Sequence, residues 1–207
     1  MTSADKPWRT DPISIRKKEL RKEIGERLVT IPIEETARQS EIVLKKLLSS
    51  SWFQEAKRLS VYTHAYLEIH TDKIVEESLA QGKEVFVPQF TTGNLIMKML
   101  KVPSLDEYNA MEKYRYGIRQ PKMEDNWEPY ENSGPLDLML VPGVGFTKEG
   151  HRLGHGMGYY DRFLADHRAR FGKLPLLYGL AQIQQMVDSV PLGESDVKLD
   201  GVLHADE

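Results

Sequence analysis

The chain has 207 residues, of which 40% are hydrophobic and 29% charged, and its formal net charge is −3. This balance is typical of a globular protein with a buried core, and it does not indicate a nucleic-acid or anionic-membrane partner. The absence of cysteine excludes disulfides, thiolate zinc sites and cysteine nucleophiles, and it fits a reducing compartment. Because no stretch is apolar enough for a signal peptide or a membrane span, we expect a cytoplasmic protein.

The first third of the chain predicts two helices followed by a strand. The first helix is expected from Ile13, with Asp11 as its cap, and it contains the basic run RKKELRK (16–22). A second helix is predicted after Pro32, with apolar residues at helical spacing. The apolar run RLSVYTHAY (58–66) then predicts a buried strand.

The rest of the chain continues this alternation. The predicted helices cover 71–82, about 159–171 and the short stretch 182–187. The predicted strands cover 83–90, 95–102, 136–146, 174–181 and 200–204. Residues 103–135 are rich in proline, glycine, asparagine and charge, which predicts mostly a long ordered loop. Alternating strands and helices predict an α/β fold with a largely parallel central sheet flanked by helices. We expect one layered domain over residues 1–207, with 1–11 as a flexible arm.

The segment RLGHGMGYYD (152–161) has glycine at three alternate positions. It lies between a predicted strand and a predicted helix, where backbone N–H groups and a helix N-terminus can bind phosphate. It matches neither standard nucleotide-binding fingerprint, and a tight surface hairpin would also explain its glycines. An aspartate in a first helical turn is favoured by the helix dipole whatever its function. Asp161 is therefore a candidate Mg²⁺ ligand only if a phosphate group binds beside it.

Several motifs in the expected order along the chain resemble the 5-formyltetrahydrofolate cyclo-ligase (methenyltetrahydrofolate synthetase) family. They are KKELR (17–21), the strand followed by Glu68, YGIRQP (116–121), VPGVGFTKEGHRLGHGMGYYDRFL (141–164) and DVKLD (196–200). The resemblance implies an ATP- and Mg²⁺-dependent ligase that converts 5-formyltetrahydrofolate to 5,10-methenyltetrahydrofolate, ADP and phosphate. Phosphorylation of the formyl oxygen would create a leaving group that attack by N10 expels. Such a site positions the phosphoryl group and neutralises charge, so it needs no protein nucleophile.

Matching positions to the family implies the following site residues. The ATP-binding residues are Lys17, Lys18, Glu19, Leu20, Arg21, Arg152, Leu153, Gly154, His155, Gly156, Met157, Gly158, Tyr159 and Tyr160. The folate-binding residues are Arg21, Thr63, Glu68, His155, Gly156, Met157, Gly158 and Tyr159. Catalytic roles fall to Arg152, His155 and Tyr159, and Mg²⁺ ligation to Asp161 and Asp196. Glu68 is expected to hydrogen-bond the pterin, and Tyr116, Gln120 and Trp127 to border its pocket.

Each assignment has a simpler structural alternative. The basic run could be a solvated helix face, Asp196 a turn residue, and Glu68 the surface end of a strand. His155 and Met157 stand where some relatives carry basic residues. This departure implies a change in ATP affinity or pH dependence, not a loss of activity.

Two other functions compete with the ligase. A sugar-phosphate isomerase would explain the glycine segment but not the basic helix or Glu68. A non-catalytic module that binds folate or nucleotide would tolerate replacement of both aspartates, whereas an enzyme would not. The expected partner is a small-molecule folate, with or without a polyglutamate tail. We expect a monomer with no nucleic-acid or membrane partner.

Overall fold

The computed structural model describes residues 11–91, 93–113 and 115–206. Of the predicted N-terminal arm, residues 1–10 lie outside these ranges. The helices are α1 (Pro12–Leu28), α2 (Ile33–Ser49), α3 (Ser51–Glu55), α4 (Asp72–Ala80), α5 (Leu105–Ala110) and α6 (Tyr159–Phe171). The strands are β1 (Arg58–Ser60), β2 (Glu84–Gln89), β3 (Lys98–Lys101), β4 (Leu138–Val141), β5 (Gly145–Phe146), β6 (Arg152–Leu153), β7 (Leu176–Leu180) and β8 (Gly201–Leu203). Short 3-10 helices cover Arg115–Gly117, Tyr130–Asn132 and Ile183–Gln185.

A central sheet of six described strands has the order β3-β2-β1-β4-β7-β8. Its strands pair in parallel, except that β3 is antiparallel to β2. The predicted α/β class with a largely parallel sheet is therefore confirmed. From β1 the chain continues to β2 on one side of the sheet, whereas β4 lies on the other side of β1. Open sheets of this kind bind ligands at the carboxyl ends of the two strands between which the order reverses, here β1 and β4.

Both faces of the sheet are covered by helices, as the residues of β4 show. Leu138 and Leu140 belong to the core shared with α2 and α4, whereas Met139 and Val141 belong to the core shared with α6. This alternation follows from the two-residue period of a strand. Burying each such side chain contributes roughly 1.5–3 kcal/mol, so the two cores hold the layers together.

The predicted basic N-terminal helix is present as α1. Its cap is Asp11, whose Oδ2 accepts a hydrogen bond from Ser14 N at 3.0 Å. Leu20 and Ile24 are buried against Leu153 of the β5–β6 hairpin. This packing holds the basic face of α1 next to the glycine segment. No helix among the described residues is long and apolar enough to cross a membrane.

The structure corrects three element predictions. The strand predicted over 58–66 ends at Ser60. Val61 N still donates to Phe86 O of β2, but two residues later the Thr63 hydroxyl group donates to Arg119 O, which lies in a loop. The loop predicted over 103–135 contains α5, whose cap Ser104 accepts a hydrogen bond from Glu107 N. The strand predicted over 136–146 is divided, because β5 pairs with β6 and not with the main sheet.

Candidate active site

The glycine segment lies beyond the carboxyl end of β4 and leads into α6. The hairpin interpretation is right for residues 145–153, which form β5 and β6 with their connection. Residues 154–158 form a separate turn that ends at Gly158, the N-cap of α6, with φ +66°. Because glycine has no side chain to cap the helix, the first-turn N–H groups of α6 are not used by their own cap residue.

The three alternate glycines each lie against an arginine. The pairs are Gly154 with Arg152, Gly156 with Arg21 and Gly158 with Arg162. A Cβ atom would lie 3.0 Å from the guanidinium in the first and third pairs and 3.4 Å in the second. Gly156 also has φ +95°, a conformation that L side chains rarely adopt. The missing side chains therefore let three cations approach the backbone of one turn.

Arg152 is the most deeply buried of these cations, with 9% of its surface exposed. Its Nη2 donates to Asp161 Oδ1 at 2.9 Å, and its Nη1 donates to Pro142 O at 3.1 Å. The guanidinium also lies 5.8 Å from the ring centre of Tyr160. These contacts fix a positive charge beside the N-terminus of α6.

The N-terminal helix contributes Arg21 and one further cation, Lys17, to the same place. Arg21 Nε donates to Gly154 O at 2.8 Å, and Lys17 Nζ lies 2.5 Å from Asp196 Oδ2. The contact between Lys17 and Asp196 shows that the loop before β8 folds back onto α1. The same Asp196 oxygen also accepts from Gly193 N at 2.6 Å, within that loop. Burial lowers the pKa of Arg21, and the nearby Asp196 acts in the opposite direction.

Glu68 lies on the other side of the glycine segment, in the loop after β1. Its Oε2 accepts from Ala65 N at 2.8 Å, and its Oε1 lies 3.4 Å from His155 Nε2. The side chain is 13% exposed. Burial raises the pKa of both Tyr62 and Tyr160, and the negative charge of Glu68 adds to each shift. Glu68 is thus a mostly buried carboxylate that faces the glycine segment.

The other predicted ATP-site residues occupy mixed environments. Lys18 and Glu19 are exposed, and Glu19 pairs with Arg16 on the surface of α1. Leu20 and Leu153 are buried in the core beneath α1, so their side chains do not face a ligand. Met157 is 54% exposed at the tip of the turn. The hydroxyl group of Tyr159 donates to Asn94 O at 3.1 Å.

The predicted folate-pocket residues also differ in their surroundings. Thr63 is buried, and its hydroxyl group donates to Arg119 O at 2.5 Å. The Gln120 amide bonds to the backbone N–H and carbonyl of Phe90, both at 3.2 Å. Tyr116 is 74% exposed. Trp127 lines a cleft of about 490 Å³ beside β2 and β3.

Sequence reasoning missed Arg162, which belongs to the same turn. Its Nη2 donates to Met157 O at 2.6 Å and its Nε to Leu95 O at 3.0 Å. The guanidinium lies 5.5 Å from the ring centre of Tyr159. The only local signal was its place in the first turn of α6, where an arginine is unfavourable to the helix dipole.

The two predicted magnesium ligands can serve a metal only together with a bound substrate. Among the described residues, no group of three or more His, Cys, Asp or Glu side chains could hold a metal. Hydrogen bonds engage Oδ1 of Asp161 and Oδ2 of Asp196, which leaves the second oxygen of each carboxylate as a candidate ligand. Mg²⁺ is commonly held by one or two carboxylates plus phosphate oxygens, so these residues fit that donor set.

A sequence model of the 5-formyltetrahydrofolate cyclo-ligase family matches residues 13–205. The chain belongs to this family. It is 46% identical over 192 residues to a probable 5-formyltetrahydrofolate cyclo-ligase of Caenorhabditis elegans. That alignment covers 92% of this chain and 93% of the Caenorhabditis elegans protein. It is 34% identical over 194 residues to the 5-formyltetrahydrofolate cyclo-ligase of Mus musculus, with 94% and 96% covered.

The fold agrees with the same family. The solved structure of Aquifex aeolicus 5,10-methenyltetrahydrofolate synthetase superimposes with a TM-score of 0.73 at 28% identity. The match covers 92% of this chain and 90% of that one. The resemblance that the sequence motifs predicted, and with it membership of a ligase family, is therefore confirmed.

Proposed function

We propose that the chain catalyses the ATP- and Mg²⁺-dependent cyclisation of 5-formyltetrahydrofolate to 5,10-methenyltetrahydrofolate, with release of ADP and phosphate. The observation that supports this proposal most directly is the contact between α1 and the glycine segment, in which Arg21 Nε donates a hydrogen bond to Gly154 O. That contact brings cations, backbone donors and two aspartates to the edge of the sheet where Glu68 also lies. Membership of the cyclo-ligase family supports the same reaction.

The ATP phosphates would bind between the glycine segment and α1. Lys17, Arg21 and Arg152 would neutralise their charge, and the first-turn N–H groups of α6 would donate hydrogen bonds. Asp161 and Asp196 would hold Mg²⁺, which supplies further charge neutralisation at the transferring phosphoryl group. His155 and Tyr159 would contact both substrates, because they lie between the phosphate side and the folate side.

The folate would bind with its pterin at Glu68. A carboxylate can accept two N–H bonds from the amino-pyrimidine edge, and charge-assisted bonds of this kind are strong in a half-buried site. Thr63 lies in the same loop and would line the pocket. Arg21, beside Gly154 and Gly156, would reach the folate as well as the phosphates.

The chemistry needs positioning and not a protein nucleophile. The formyl oxygen of the substrate attacks the γ-phosphorus of ATP, and the bond to ADP breaks. N10 then attacks the activated formyl carbon and releases its proton to solvent, and phosphate leaves with the former formyl oxygen. The fixed cations of the site stabilise the charge that moves between these oxygens.

We also propose a single domain that acts as a monomer in the cytoplasm, on folates with or without a polyglutamate tail. The absence of cysteine fits a reducing compartment.

The direct test is an omission assay with purified protein. We expect the absorbance of the methenyl product to appear, with stoichiometric ADP, only when 5-formyltetrahydrofolate, ATP and Mg²⁺ are all present. Binding of folate or ATP without product would favour the non-catalytic module. If the protein forms no product and binds neither folate nor ATP, the proposed function is wrong.

The metal assignment predicts a specific effect of Asp161→Asn. The amide keeps an oxygen for Arg152 but loses the negative charge that would bind Mg²⁺. We expect turnover to fall by at least about tenfold, or roughly 1.4 kcal/mol of barrier, and the Mg²⁺ concentration for half-maximal rate to rise. Asp166→Asn, at an exposed position of the same helix, is the matched control and should leave both quantities unchanged. Normal Mg²⁺ dependence in Asp161→Asn would remove Asp161 from the metal site.

A further inference from the structure

The loop that carries Glu68, residues 61–71, is closed at its base by side chains. Thr71 is fully buried, and its hydroxyl group donates to Tyr62 O at 2.7 Å. The backbone N–H of Thr71 donates to His64 Nδ1 at 3.1 Å. Inside this closure, Glu68 N donates to Ala65 O at 3.1 Å, and Ala65 N donates to the Glu68 carboxylate. The orientation of Glu68 therefore depends on contacts at both ends of the loop.

His64 has a defined protonation state in this arrangement. Because Nδ1 accepts the Thr71 N–H, it carries no proton, and any proton of the neutral ring is on Nε2. Protonation would turn Nδ1 into a donor, which has Thr71 Oγ1 at 3.3 Å and Asp72 Oδ1 at 3.9 Å as acceptors. Thr71 N would then lose the acceptor that it has among the described residues. Leaving a buried N–H without a partner costs about 1–3 kcal/mol, which would weaken the closure at the base of the loop.

From these contacts we propose that neutral His64 is a positioning residue for Glu68. It acts by closing loop 61–71 and does not touch a substrate. This inference rests on the proposed function, in which Glu68 binds the pterin. It predicts that folate affinity falls when His64 becomes protonated.

The groups around His64 set the direction of its pKa. Burial lowers the pKa of His64 below its ordinary value of 6.5, and the positive charges of His70 and Lys113 act in the same direction. The negative charges of Asp72 and Glu68 oppose them. Asp72 is itself engaged, since its Oδ1 accepts from the Tyr108 hydroxyl group at 2.7 Å. A lowered pKa means that the closed loop is stable at neutral pH and is lost as the pH falls through that pKa, below 6.5.

Three variants separate this role from general stability. His64→Asn keeps an acceptor oxygen close to the position of Nδ1 but does not titrate, whereas His64→Leu has no acceptor. His70→Asn is the matched control. The His70 ring lies 4.8 Å from the His64 ring. The hydrogen bond of His70 to Ser40 Oγ is donated by its backbone N–H, so the substitution does not remove it.

The experiment measures the dissociation constant of 5-formyltetrahydrofolate between pH 5.5 and 8 without ATP. We expect wild-type affinity to fall on acidification below pH 6.5. His70→Asn should also lose affinity in acid, starting at a slightly higher pH, because it lacks the positive charge that helps to lower the pKa of His64. His64→Asn should bind as wild type does at pH 7.5 and lose less affinity in acid. His64→Leu should bind about tenfold more weakly at all pH values, as expected for loss of one buried hydrogen bond.

Hydrogen exchange at the Thr71 amide gives a second readout that does not depend on folate. This amide should exchange faster in His64→Leu and stay protected in His64→Asn. Wild-type affinity in His64→Leu, or an unchanged acid loss in His64→Asn, would overturn the inference. Failure of the wild-type protein to bind folate at any pH would instead overturn the proposed function on which the inference rests.

Discussion

Arg152→Ala is expected to lower turnover by at least about a hundredfold, or roughly 2.7 kcal/mol of barrier, as for loss of one preorganised charge donor. The guanidinium is held by Pro142 O and Asp161, so its charge would already be in place for the ATP phosphates of the proposed reaction. Water that replaced it would have to reorganise during the reaction. The measurement is kcat at saturating ATP and folate.

Two further variants test whether charge or geometry matters at this position. Arg152→Lys keeps the charge but cannot bond to Pro142 O and Asp161 at once, so we expect an intermediate loss. Arg170→Ala removes an exposed arginine at the other end of α6, where it pairs with Asp166, and should leave turnover unchanged.

Removal of one partner of a buried ion pair destabilises a protein, by about 3–5 kcal/mol in severe cases. Thermal unfolding must therefore show that Arg152→Ala is folded at the assay temperature. A threefold decrease in kcat corresponds to less than about 1 kcal/mol of activation barrier. A kcat of Arg152→Ala within about threefold of wild type would therefore mean that Arg152 stabilises the hairpin and does not act on the reaction.

The parts of the fold that the sequence predicted are those with a local physical cause. Asp11 caps α1 because its carboxylate reaches the N–H of Ser14 three residues later. Gly82 ends the helical region of α4 because it adopts φ +72°. Residues 103–135 were predicted mostly as loop because proline and charge dominate their composition. The cap at Ser104 and the burial of Tyr108, which stabilise α5, depend on a short signal and on a distant core.

The candidate site was predictable in pieces but not as an arrangement. The glycine segment and the basic run are each visible in the sequence, yet the bond between Arg21 and Gly154 joins residues 133 positions apart. Only the packing of α1 on the hairpin creates it. The roles of Arg162 and His64 were missed because their partners, Leu95 O and Thr71 N, are backbone atoms. A contact between a side chain and a distant backbone atom leaves no pattern in the sequence from which it could be predicted.

Glu68→Gln is expected to raise the KM for 5-formyltetrahydrofolate by about 10- to 100-fold while the KM for ATP stays within about twofold of wild type. Glutamine keeps an oxygen that can accept the Ala65 N–H, so the turn is preserved. Its NH₂ group, however, would face the N–H donors of the pterin edge. The loss is that of charge-assisted hydrogen bonds, worth about 1.5–3 kcal/mol.

The split between the two KM values distinguishes a pterin ligand from a general support of the site. Glu76→Gln, at an exposed position of α4, is the matched control and should change neither value. Equal increases in both KM values would mean that Glu68 acts by holding the glycine segment through His155, which lies 3.4 Å away. An unchanged folate KM would remove Glu68 from the binding site. Because Arg152→Ala is expected to act on kcat at saturating substrate, the two variants together separate recognition of the pterin from stabilisation of the transferring phosphoryl group.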